Sequence, residues 1–141
     1  MKEIENIKLT DWLSELKPYQ RNSIEILIKN YGEEKAAEIW ITSNGPLNNI
    51  PFGGERVKDT KPFFDRFKTE FGKFICGHPD YDEDRKKLGI ESPNIKSMII
   101  AAISGALGAR LGLATTLLAP AVVLLLSCVG KMGLKAYCQG L

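Results

Sequence analysis

From Ser97 to Gly130 the chain carries one charge, Arg110, and its final stretch, Leu111–Gly130, is 20 residues with none. As a helix that stretch would run about 30 Å, the depth of a bilayer's hydrocarbon core. A helix that is apolar all round needs lipid or protein on every side. A chain of 141 residues has little protein to wrap around it. The tail therefore constrains the fold more than any other feature, and membrane insertion is the reading it favours.

Charge is divided in the same way. Residues 1–95 hold all 17 acidic residues and 15 of the 19 basic ones, a net −2. Residues 96–141 hold Lys96, Arg110, Lys131 and Lys135 and no acid, a net +4. Soluble surfaces normally mix both signs, so the split predicts two regions: 1–95, a small helical cytosolic domain for sensing or assembly, and 96–141, a membrane-inserting, oligomerising tail. No apolar stretch near the start reads as a signal peptide, which favours a cytosolic N-terminal domain at the inner membrane. The three cysteines, Cys76, Cys128 and Cys138, have no metal-type spacing, and their odd number argues against a disulfide framework.

Within the tail, Pro120 would break a helix in water, but membrane helices tolerate proline where the freed carbonyl, here that of Thr116, finds a partner. Ala101, Gly105, Gly108, Gly112 and Ala119 recur at helical steps with Thr115 or Thr116 between them, and Gly108 to Gly112 is a G-x-x-x-G. Such faces let helices approach closely in membranes, and this one is the expected oligomer face. A single span over 111–130 puts Arg110 at an interface, where it can snorkel. Insertion from about residue 97 puts it deep, where it must line water or meet a partner. The expected fold is all-α, with a C-terminal transmembrane helix or hairpin.

The first 95 residues show helical periodicity and no β alternation. A helix ending at Gly32 carries Ile24, Leu27, Ile28 and Tyr31; the next carries Ala36, Ile39 and Trp40; a third carries Phe63 or Phe64, Phe67, Phe71 and Phe74. The phenylalanines read as core rather than as a base-stacking surface beside Arg66 and Lys73. His78 reads as structural and "DYDEDRKK" as solvated surface.

The best candidate ligand contact is "PFGGERVKDTK". Gly53 and Gly54 allow backbone N–H groups to approach an anion, and Arg56, Lys58 and Lys61, with Arg66 and Lys73 on the next helix, supply positive charge. The loop is neither a G-x-G-x-x-G nor a P-loop, and a turn with solvated charges fits it too. No catalytic or metal-ligating set is found; with one histidine there is little material for a His-based site. No cofactor is expected, and the reading is non-enzymatic.

In layout, and in the tail "SMIIAAISGALGARLGLATTLLAPAVVLLLSCVG", the chain is similar to the small membrane effectors of bacterial anti-phage signalling operons, including the channel-forming effector of the Hailong type. The resemblance implies a homo-oligomeric pore or ion channel, gated by a nucleotide or single-stranded oligonucleotide at the cytosolic domain. It also implies a signalling enzyme from the same operon as a partner, and defence by membrane depolarisation. The alternative is a non-catalytic soluble or membrane-associated adaptor whose apolar tail is a buried or partner-binding helix.

Overall fold

Local signals place the helix ends. In the computed structural model, which describes residues 7–44, 61–86, 88 and 95–139, all regular structure is helical. After α1 (Leu9–Leu13), α2 (Pro18–Tyr31) opens on a proline, whose missing N–H costs nothing in a first turn. It stops at Gly32, where φ is 85° and the N–H donates to the Ile28 carbonyl at 2.8 Å. α3 (Glu33–Asn44) starts at once, with Glu33 and Glu34 in the first turn, where the helix dipole favours carboxylates. α4 (Lys61–Ile75) buries Phe64, Phe67, Phe71 and Phe74, so the stripe is core.

A 3₁₀ turn (Pro79–Tyr81) and α5 (Asp82–Lys86) follow. His78 caps the turn, its Nδ1 accepting from the Asp80 N–H at 3.1 Å. Arg85 donates to the carbonyls of Phe74 at 2.9 Å and His78 at 2.6 Å, closing the end of α4.

The apolar tail is a hairpin, α6 (Ile95–Leu111) and α7 (Thr115–Met132), followed by α8 (Leu134–Gln139). The break falls at Gly112, where φ is 73°. The N–H groups of Gly112 and Leu113 both donate to the Gly108 carbonyl, at 2.8 and 3.1 Å. That turn carries the Leu113 carbonyl over Gly108, where an added Cβ would lie 2.7 Å from it. Two glycines expected on an oligomer face thus serve the hairpin turn.

α7 lies at the centre of the fold. It packs on α3, α6, α1, α2 and α8, and Pro120 through Ser127 are all buried. Trp12, Ile24, Ala37, Ile41 and Phe71 share one buried cluster with Ile103, Leu107 and Val122. α6 starts at Ile95, and the buried cluster includes residues on both sides of that point. The short helices α1–α3 have narrow apolar faces, and α7 completes them. Cys76 and Cys138 are joined in a disulfide, with Cys128 left free. The expectation against a disulfide is corrected here: an odd cysteine count is equally satisfied by one bridge and one thiol.

Candidate functional site

The hairpin is the chain's distinctive element, and its outward surface is more unusual than its buried one. Between Ser97 and Gly130 the exposed positions are Ser97, Ala101, Ala109, Arg110, Gly112, Ala114, Thr115 and Thr116, and only one is charged. Five of them, from Gly112 back to Ala109 and on to Thr116 through the turn, are small and uncharged. α7 is the described helix long and apolar enough to cross a membrane, with mean hydropathy 1.8 over 18 residues; 56% of it is buried inside the fold, as in the core helix of a soluble protein.

Arg110 is held at this tip by the 79–81 turn. Its guanidinium lies over the Tyr81 ring, 4.7 Å from the centroid, donates to the Asp80 carbonyl at 3.1 Å and pairs with the Asp80 carboxylate at 3.6 Å. Asp80 also faces Lys73 at 3.7 Å and His78 at 3.6 Å. Tyr81 is buried and its hydroxyl donates to Glu70 at 2.5 Å. Burial first, and then Glu70, push this phenol well above its ordinary range, with Arg110 opposing. In this fold, therefore, Arg110 ties α6 to the 79–81 turn through a surface ion pair and a cation–π contact, each worth about 1 kcal/mol or less where exposed.

At the other side of the hairpin, α2 and α3 repair the gap left by Pro120. Proline has no N–H for the Thr116 carbonyl, and the Gln20 side chain, 5% exposed, donates to that oxygen at 3.0 Å. Trp40 Nε1 donates to the neighbouring Leu117 carbonyl at 2.8 Å. Further along, Glu33 accepts from Ser127 and Lys131, joining the start of α3 to the end of α7. The proline announced an unpaired carbonyl; nothing in the sequence could locate a donor 96 residues away.

Of the expected oligomer face, Gly108 is buried in the turn, Gly105 is half-buried with open space where a Cβ would stand, Ala101 is exposed and Ala119 half-buried. The helix is interrupted at Gly112, yet Ala101, Ser104, Thr115, Thr116 and Ala119 still meet, lining a groove of about 210 Å³ between α6 and α7. Of the expected ligand residues, Gly53, Gly54, Arg56 and Lys58 lie outside the described residues, as does the Lys61 side chain at the start of α4. Arg66 is exposed on α4, and Lys73, two turns on, is engaged by Glu70 at 3.4 Å as well as by Asp80. The described residues thus bring together no cluster of free cations from this set. Nor do they bring together three or more His, Cys, Asp or Glu side chains able to hold a metal ion.

No protein-family model, curated protein or solved structure matches this chain.

Proposed function

We propose that the chain is a non-enzymatic membrane effector whose α6–α7 hairpin leaves the shelter of α1–α4, enters a bilayer and associates with copies of itself into a pore or ion channel. One observation carries this reading. Packing in a protein core accounts for the apolar residues that face inward, but places no demand on those that face water. Here the water-facing side of the hairpin between Ser97 and Gly130 is also stripped of charge, leaving Arg110 alone, with Lys96 and Lys131 at the base of the two helices. An uncharged tip enters hydrocarbon without the several kcal/mol, roughly 2.5–3.5 per residue on insertion scales, that each central charge adds. Arg110 then stands at a membrane boundary or borders the conducting path. Gly105, Ala101 and Ala119 remain available for close helix contact in the inserted state.

In this proposal the protein sits at the inner membrane, with its N-terminal helices in the cytosol. The gating ligand is an anion, a nucleotide or single-stranded oligonucleotide, met by the loop carrying Gly53, Gly54, Arg56 and Lys58 together with Lys61, Arg66 and Lys73. A signalling enzyme would supply it, and depolarisation of an infected cell would be the outcome. These finer elements rest on the resemblance in layout and on the charge of that loop.

A second reading has its own observation. Gln20 and Trp40 serve the carbonyls around Pro120 only while α7 stays in the bundle, as it would in a soluble, non-catalytic adaptor. Carbonate extraction of membranes from expressing cells separates the two, followed by conductance in planar bilayers. A chain retained in the membrane pellet that conducts supports the effector. A chain found wholly in the soluble fraction, and inert on bilayers with and without candidate oligonucleotides, refutes it.

A further inference from the structure

Cys76 directly follows α4, and Cys138 lies in α8, six residues beyond the end of α7; their Cα atoms are 5.6 Å apart. The chain between them holds the 79–81 turn, α5 and the entire α6–α7 hairpin. The rear of the hairpin is thereby tied, through α8, to the end of α4. On the other side, Arg85 holds α5 to the same end of α4 through the carbonyls of Phe74 and His78. α8 has only six residues, too few to be stable alone. Beyond the bridge, it rests on contacts such as the edge of Tyr137 against Phe71 at 6.1 Å. α7 is 18 residues, about 27 Å long. The segment joining its end to Cys138 reaches about 20 Å even when fully extended. With the bridge closed, α7 cannot move away from α4 by its own length.

We propose that the Cys76–Cys138 disulfide is a redox latch on the hairpin, opened by a dithiol reductant that approaches through the cavity beside Cys76; this rests on the membrane-effector reading above. That cavity is about 360 Å³, open to solvent, and lined by Thr69, Gly72, Lys73, Cys76, Gly77 and His78. Gly77 has open space where a side chain would stand, which leaves room for an incoming sulfur, and Lys73, paired with Glu70 and Asp80, forms part of the wall. A thiolate of the dithiol attacks Cys76 Sγ, forming a mixed disulfide and breaking the bond to Cys138, which leaves as a thiolate and takes a proton from water. The second thiol, deprotonated, then attacks the dithiol sulfur of that mixed disulfide. Cys76 leaves and is protonated. Two electrons pass from the dithiol, which ends as a cyclic disulfide, to the protein, which ends with two thiols. Disulfides in cytosolic proteins are characteristically transient or redox-sensing, and this one closes around the membrane-active element.

The test uses the full chain, purified oxidised, with vesicles of phosphatidylethanolamine and phosphatidylglycerol. Flotation of protein with vesicles in high salt and release of trapped carboxyfluorescein are measured for the oxidised protein, for the same protein after dithiothreitol, and for Cys76→Ala/Cys138→Ala. Cys128→Ser, in both redox states, guards against thiol reshuffling. Reduction and the double variant are each expected to raise flotation and release at least tenfold, with Cys128→Ser following the wild type. Equal insertion by oxidised and reduced protein overturns the latch and leaves the membrane reading standing. No insertion by any form overturns both. If the double variant loses its helical circular dichroism, the wild type reduced after folding decides.

Discussion

Replacing Gln20 by Met tests whether α7 is built to stay in contact with α2. The substitution keeps the length of the side chain and removes its N–H donor. The Thr116 carbonyl, which has no helical donor because residue 120 is proline, then loses its partner at 3.0 Å. A hydrogen bond of this kind contributes about 1 kcal/mol net, and an orphaned buried acceptor costs about 1–3. Thr116 is exposed, so water can reach its oxygen and the lower end applies. Burial of a Met thioether offsets part of the loss, which is why one variant is not enough. Pro120→Ala restores an N–H able to serve the same carbonyl within the helix, making Gln20 redundant. Gln20→Met should therefore cost about 1 kcal/mol more in the wild type than in the Pro120→Ala background. The four proteins are compared by urea unfolding, followed by far-UV circular dichroism, with equal m-values required. Strict additivity would show that Gln20 does not serve the proline gap, and the described packing of α7 on α2 would lose its main polar support.

Four further outcomes are expected. Gly108→Ala should destabilise the fold, since its Cβ would meet the Leu113 carbonyl at 2.7 Å, whereas Gly105→Leu has open space and should leave thermal stability nearly unchanged; if Gly105 lies on the oligomer face, Gly105→Leu lowers the oligomer mass measured by light scattering in detergent. Arg110→Leu should cost about 1–2 kcal/mol in urea unfolding through loss of Asp80 and the Tyr81 ring, and on the pore reading Arg110→Glu should reverse ion preference in planar bilayers. Arg56→Glu with Lys58→Glu should weaken binding of a test oligonucleotide and flatten its salt dependence; unchanged affinity at two salt concentrations places the ligand elsewhere. Tyr137 is pushed from 10.0 up to about 12 by burial, then by Cys128 and Glu34, and Tyr81 is raised as well. Because these folded-state values exceed the unfolded ones, their contribution is complete below pH 10 and is lost as pH rises through the folded pKa values. Alkaline unfolding of the wild type should steepen above that pH, and Tyr137→Phe should reduce the slope.

Helix content, the stop at Gly32, the phenylalanine core of α4, and the acid-to-base order along α5 were all legible in the sequence. Each depends on neighbours within a few residues: a periodicity, a glycine, a dipole. The turn between α6 and α7 was not placed by the sequence, where Gly108 and Gly112 read as part of a small-residue face; in the fold both serve that turn. What surrounds α7 was not legible. Length and hydropathy report only that a helix avoids water, and a bilayer and a protein core satisfy that equally. The choice in this fold comes from contacts between distant parts of the chain: Gln20 and Trp40 on the carbonyls beside Pro120, Glu33 on Ser127 and Lys131, Arg110 on Asp80, Cys76 on Cys138. In sequence each of these is one polar or sulfur-bearing residue among many with the same chemistry. Only the packed chain brings the partners within bonding distance, so tertiary structure alone decides that the most apolar helix is wrapped in the most charged part of the molecule.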